Sequence, residues 1–180
     1  MPEQELKISA DRVGALIGKN GSTKRAIEER TKTSIEIESK EGDVVVRGED
    51  ADGVVTASEV VRAINRGFSP ERAFLLLNNA DAILDVIDLS SIVETSQQLE
   101  RIRGRVIGRA GRSREQIENM TITSISIFGK TVAIIGDPEQ VKIARTAIEM
   151  LINGVGHESV FAFLDRKKRE AKRDMLGYYY

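Results

Sequence analysis

Apolar positions along this chain change period in a fixed order, and that order occurs twice. Leu6 and Ile8 alternate with polar neighbours in LKIS (residues 6–9), the period-two pattern of a short strand. Val13, Leu16 and Ile17 then recur at three and four, the spacing of a helix, before Gly18-Lys19-Asn20-Gly21 interrupts. STKRAIEERTK predicts a second helix, with Ser22 or Thr23 as its N-cap. SIEIES alternates as a half-buried strand does, KEGD turns the chain, and DVVVRG returns as the other arm of a hairpin. Val54, Val55, Ala57, Ser58, Val61 and Ile64 predict a long helix from near Ala51. The predicted order is strand, helix, loop, helix, strand, strand, helix.

The second occurrence is offset by 90 residues. Residues 14–37, GALIGKNGSTKRAIEERTKTSIEI, align without a gap on residues 104–127, GRVIGRAGRSREQIENMTITSISI, with 11 of 24 positions identical. Both glycine pairs are among them, as are Ile17 and Ile107, Ile27 and Ile117, and Glu28 and Glu118. A two-residue gap then aligns DVVVRG with TVAIIG. A period near 90 is too long for a solenoid unit and fits a duplicated small domain. In the second copy LDVIDL (84–89) is the expected first strand, an extra stretch SSIVETSQQ precedes a helix around 99–107, and SISIFG with KTVAIIG forms the hairpin. Pro138 opens the last helix at its first turn, where a missing N–H costs nothing. Between the copies, Ser69 is an N-cap and Pro70 the first residue of a linker helix, whose apolar face (Phe74, Leu75, Leu77) is expected to pack between the copies. A further helix over 158–176 starts apolar (Val160, Phe161, Phe163, Leu164) and ends basic. The expected domains are 1–66, a linker helix 67–83, a second domain 84–154, and a basic C-terminal helix and tail 155–180.

Charge changes the picture more than overall composition does. The net charge is −1, with 27 Lys and Arg against 28 Asp and Glu, which excludes a uniformly basic nucleic-acid binder. The cations are gathered, however. Residues 101–118 hold Arg101, Arg103, Arg105, Arg109, Arg112 and Arg114 against two acids, and residues 19–32 hold five bases against two acids. Residues 165–174 hold six bases against three acids, whereas residues 73–100 hold five acids and no base. Near-neutrality therefore hides a polarised molecule. The absence of Cys and the single His, His157, exclude disulfide scaffolds, thiolate catalysis and zinc fingers. The lone His is read as a surface or packing residue. No apolar run reaches membrane-spanning length, and the polar start MPEQELKIS does not fit a signal peptide, so a cytoplasmic protein with no membrane partner is expected.

The two Gly-x-x-Gly loops, Gly18–Gly21 and Gly108–Gly111, each join two predicted helices and carry a cation, Lys19 or Arg109. Two glycines let the chain turn sharply and let another backbone approach. The helix that follows offers free N–H groups and a positive dipole end, which suits a phosphate. Such a loop clamps a sugar-phosphate backbone, with Ile17, Ile27, Ile35, Ile37 and their counterparts as an apolar floor for bases. These residues resemble the KH domain family, of the type I order. That resemblance covers residues 5–66 and 84–153 and implies an α+β fold: two tandem domains, each βααββα, with a three-stranded antiparallel sheet on three helices. It also implies single-stranded nucleic-acid binding by each loop, about four nucleotides at a time. Many KH domains have an apolar residue three places after the second glycine; Lys24 and Arg114 stand there in both copies, adding cations to the expected phosphate path. With the GFSPERA linker and the basic tail, the whole arrangement is similar to the archaeal partner-of-Nob family of small-subunit ribosome assembly factors. That likeness implies binding of pre-ribosomal RNA near the 3′ end of the small-subunit rRNA, assistance to the endonuclease that matures that end, and contact with other assembly or translation factors.

The candidate RNA-binding residues are thus Gly18, Lys19, Asn20, Gly21 and Lys24 in the first copy. In the second they are Arg103, Arg105, Gly108, Arg109, Ala110, Gly111, Arg112 and Arg114. The second copy has more Arg, suited to bidentate phosphate contact, and is expected to be the stronger binder. No catalytic residue, cofactor or metal is expected. GALIGKN has one residue too few for a phosphate-binding P-loop and Asn20 where a metal-holding hydroxyl should stand. Asp81, Asp85 and Asp88 are read as a solvated face or a site for a basic protein rather than metal ligands. Low aromatic content, 4%, argues against a stacking sheet surface; Phe128 is read as core, and Tyr178–Tyr180 as a frayed end. The alternatives are a general KH protein of RNA decay or translation, and a KH-based protein-interaction scaffold.

Overall fold

The computed structural model describes residues 1–178, the side chain of Tyr178 excepted. Its chain forms two compact units, Met1–Leu84 and Asp85 onward. In the first, β1 (Glu3–Lys7) leads through a short turn into α1 (Val13–Ile17), then α2 (Ser22–Thr31), β2 (Thr33–Glu38), β3 (Asp43–Gly48) and α3 (Ala51–Asn65). The sheet is antiparallel in the order β1-β3-β2, with Leu6 opposite Val44 and Ile35 opposite Val46. Valines on β3 alternate as the pattern requires: Val44 and Val46 are fully buried, and Val45 is half-buried. Leu16, Ile27, Val61 and Ile64 from the three helices are buried as well, and α3 packs directly on β3. Each such side chain contributes about 1.5–3 kcal/mol by leaving water.

The first strand starts at Glu3 rather than Leu6. Its first three residues, Glu3 to Glu5, are polar and exposed, so the alternation begins only at Leu6. Arg47 ties this edge across the sheet, bonding Glu3 at 2.7 Å and Glu36 at 3.1 Å. Two short helices, α4 (Pro70–Ala73) and α5 (Leu75–Asn78), follow α3 and pack on it. Ser69 does cap α4, accepting the Arg72 N–H, with Pro70 in the first turn. The buried face there is Phe68, Ala73 and Leu76, while Leu75 is exposed; the expected face of Phe74, Leu75 and Leu77 is one position out of phase, because the helix breaks at Phe74.

The second unit repeats the plan: β4 (Ile83–Asp88), α6 (Ser96–Ile107), α7 (Arg112–Thr121), β5 (Ser124–Phe128), β6 (Thr131–Gly136) and α8 (Pro138–Ile152), with the sheet ordered β4-β6-β5. The extra stretch before α6 supplies its start. Thr95 accepts the Gln98 N–H at 3.1 Å, and Gln98 accepts the Thr95 N–H in return, so α6 begins three residues earlier than its apolar pattern predicts. Asp85 is taken by Arg145 of α8 at 2.8 Å, a bond that joins β4 to the helix layer. Phe128 is half-buried at the end of β5. Finally α9 (His157–Tyr178) folds back on α7 and α8, burying Val160 and Leu164. Its basic later part lies beyond this apolar foot, and Arg166 and Lys167 sit 5.8 and 6.0 Å from the Phe163 ring. Tyr179 and Tyr180 lie outside the described residues. No described helix is long and apolar enough to cross a membrane.

Candidate nucleic-acid interface

The two Gly-x-x-Gly loops adopt the same backbone path. Gly18 and Gly108 have φ 75° with ψ 175° and 176°, a region only glycine occupies readily. A Cβ on either would collide with the second residue of the next helix, Thr23 or Ser113. The middle residues Asn20 and Ala110 are left-handed, at φ 54° and 57°, and Gly21 and Gly111 complete the turn at φ 75°. These second glycines are the N-caps of α2 and α7; Ser22, one of the two expected caps, is already the first helical residue. Neither cap supplies a side-chain acceptor; the first amide of each helix, that of Ser22 or Arg112, donates to the carbonyl of Lys19 or Arg109 inside the loop, and the dipole end itself carries no capping carboxylate and suits an anion.

Around these cradles the cations divide into two kinds. Lys19, Arg109 and Arg112 are exposed and make no ion pair among the described residues. Lys24 and Arg114 instead bond Glu28 at 3.4 Å and Glu118 at 2.9 Å. The second oxygen of each glutamate accepts the N–H of Ile35 or Ile125 at 2.8 Å, fixing the start of the central hairpin on the clamp helix. The cation three places after the second glycine is therefore part of a cation–glutamate–strand brace present in both units. Arg105 is committed as well: it donates to the carbonyls of Leu151 at 2.9 Å and Val155 at 2.7 Å, closing the end of α8. Arg12 does the same in the first unit, to Ile64 and Phe68, both at 2.8 Å, from a position three residues earlier in the repeat. Arg103 is mostly covered; its Nε is buried with no hydrogen-bond partner among the described residues, and its Glu100 contact is long, 3.8 Å.

A groove of about 470 Å³ opens beside the second loop. Arg101, Gly104, Gly108, Arg109, Arg112 and Gln116 line one side, and His157 and Phe161 of α9 the other. No carboxylate is among its lining residues. Phe161 and the groove-side place of His157 escape sequence reading, because only the return of α9 brings them to the loop; Gln116, one turn after Arg112 on α7, carries no charge or motif to single it out. His157 also packs, its Nε2 2.9 Å from the Arg105 carbonyl oxygen. In the first unit the position matching Arg101 is Asp11, whose carboxyl is held below the usual range first by a hydrogen bond from Ser9. The first cradle thus has a carboxylate where the second has a guanidinium.

Both halves match KH models: residues 3–63 the KH domain, and residues 83–169 the eukaryotic type KH-domain (KH-domain type I). The KH domain-containing protein MJ0443 of Methanocaldococcus jannaschii is 42% identical over 172 residues, 93% of this chain and 75% of that one. The RNA-binding protein pno1 of Dictyostelium discoideum is 32% identical over 109 residues, 60% of this chain and 46% of that one. A solved complex of a/eIF2alpha, aDim2p and rRNA from Pyrococcus horikoshii contains a chain 50% identical, with a TM-score of 0.88 over 94% of this chain and 95% of that one. The chain belongs to the PNO1/Dim2 family of tandem KH proteins. It spans about half the length of the eukaryotic family member and three quarters of the Methanocaldococcus one. Within this PNO1/Dim2 chain the type I order is observed in both units: helix, glycine loop and helix inserted between the first two strands, and a third helix after the hairpin.

Proposed function

We propose that this PNO1/Dim2 protein binds single-stranded RNA, specifically small-subunit rRNA near its 3′ end, and acts in ribosome assembly and rRNA processing. The observation that carries the reading is the second cradle. A helix N-terminus without a side-chain cap, a glycine pair that lets the loop turn tightly onto that helix, and Arg109 and Arg112, which make no ion pair among the described residues, converge on one accessible groove. Relatives supply the RNA class: one is named a pre-rRNA-processing protein, and another was crystallised with rRNA. The protein holds RNA and does no bond chemistry of its own. Its partners are the endonuclease that matures the rRNA 3′ end and, as in the Pyrococcus complex, a translation factor. It works in the cytoplasm.

Gly108, Arg109, Ala110, Gly111 and Arg112 form the primary grip, and Gly18, Lys19, Asn20 and Gly21 an auxiliary one. Lys24, Arg103, Arg105 and Arg114 support it from behind, holding hairpin and helix in place and adding positive potential. Binding both loops to one RNA raises effective affinity when the spacing matches. Crosslinking the full chain to cellular RNA and sequencing the bound fragments tests this reading. A peak at the small-subunit rRNA 3′ region is expected; reads spread over messenger or transfer RNA would favour a general role in decay or translation instead.

A further inference from the structure

The groove of the second unit holds more than a phosphate clamp needs. Its far wall is α9, which follows the duplicated fold and has no counterpart in the first copy. From that wall Phe161 faces the groove half-buried, with the His157 ring 6.3 Å away at 47°. Across from them stand Arg101, Arg112 and Gln116, all exposed. Arg101 and Arg112 make no ion pair among the described residues. Ser113 is only 4% exposed, and its hydroxyl, on the groove wall, has no hydrogen-bond partner among the described residues. A buried hydroxyl without a partner costs free energy that a ligand atom can recover. Aromatic face, amide, hydroxyl and two free guanidinium groups are the chemistry that takes one nucleotide: base on the ring, phosphate on the arginines. An acidic peptide would use the arginines and leave Phe161 and Gln116 without a role.

We infer that this α6–α7–α9 groove extends the second clamp by one nucleotide subsite, which shares Arg112 with the grip and takes the nucleotide flanking the segment held by the loop. The phosphate lies between Arg101 and Arg112, and the base rests on Phe161 within reach of Gln116. This rests on the RNA reading above. It makes α9 part of the binding site rather than a trailing helix, and it makes affinity depend on RNA length beyond the roughly four nucleotides a KH clamp grips.

The test uses the full chain and two labelled random-sequence RNA pools, four and eight nucleotides long, read by fluorescence anisotropy. Arg101→Ala and Phe161→Leu are the variants; leucine keeps the apolar packing while removing the aromatic face. Each is expected to weaken binding of the eight-nucleotide pool on the order of tenfold, as loss of one stacked base or phosphate contact implies, and to leave the four-nucleotide pool within about twofold. Equal loss for both pools, or no loss for either, overturns the subsite. So does undiminished eight-nucleotide binding together with displacement of an acidic peptide from wild type but not from Arg101→Ala, which would make the groove a protein site. Arg109→Asp with Ala110→Asp separates the two readings. If that double variant binds the four-nucleotide pool as wild type does, the clamp itself has failed, whatever the groove variants show.

Discussion

The two units share a backbone and differ in what surrounds the same loop. Gly18 and Gly108 have the same φ and nearly the same ψ, and Thr23 and Ser113 crowd them alike. Glu28 and Glu118 hold the same strand amide at the same 2.8 Å. Around this common frame the first unit places Asp11, Ala15, Ser22 and Ala26 where the second places Arg101, Arg105, Arg112 and Gln116. Only the second is walled by a helix carrying His157 and Phe161. Duplication kept the residues that shape the cradle and let the residues around it diverge. The shared frame is a requirement of the fold, and on the proposed reading the differences set the binding strength.

The sharpest way to break the comparison is to make the same change in both loops. Arg109→Asp with Ala110→Asp removes a cation and adds two carboxylates, and Asp tolerates the left-handed backbone at position 110. RNA affinity should fall about a hundredfold, since one or two charge-assisted contacts of about 1.5–3 kcal/mol each are lost. Lys19→Asp with Asn20→Asp should cost only about tenfold, roughly one such contact at the low end of that range. Titration of both variants over a range of salt concentrations checks this, and equal losses would erase the ranking.

Changes to the shared frame should act on stability, and alike in both units. Glu118→Gln and Glu28→Gln each weaken the brace between cation, carboxylate and strand amide, and should cost about 1–3 kcal/mol by chemical denaturation. Arg105→Ala, and Arg12→Ala in the first unit, leave carbonyls at a helix end without their guanidinium and should cost about 1–2 kcal/mol. If Arg105→Ala reduced RNA affinity without moving the denaturation midpoint, Arg105 would be a ligand contact and not a brace. The smallest effect should be a gain. Ile122 is 81% exposed in the left-handed region at φ 54°, a conformation unfavourable for a branched side chain. Ile122→Asn should raise stability by about 1 kcal/mol, and Lys32→Asn at the matching position, where the side chain is unbranched, by less.

Much of the fold was legible in the sequence because period and punctuation agree there. The 90-residue repeat, the alternation in SIEIE and SISIF, and Pro138 each point to the element that forms. Where reading failed, the deciding interaction was distant or lacked an apolar signature. The first part of the edge strand, Glu3 to Glu5, is polar, so its pairing with β3 leaves no trace in the pattern. The start of α6 is set by a reciprocal polar cap. In the candidate site, glycine spacing located both loops, but a run of six arginines looks uniform in sequence. Arg105 finds its carbonyls 46 and 50 residues further along, while Arg114 is matched four residues on by Glu118. Only folding separates those braces from Arg109 and Arg112. Phe161 and His157 reach the groove through an α9 that continues past the repeat, so nothing in the alignment of the copies could point to them.

Amide chemical-shift mapping during titration with a single-stranded RNA from the small-subunit rRNA 3′ end tests the central claim most directly, because the backbone N–H groups of the cradle are the proposed contact. The amides of Gly108 to Ser113 should shift first and saturate at the lower RNA concentration, with those of Gly18 to Thr23 following later or not at all. Simultaneous saturation of the two loops, or shifts confined to residues away from both, would contradict it.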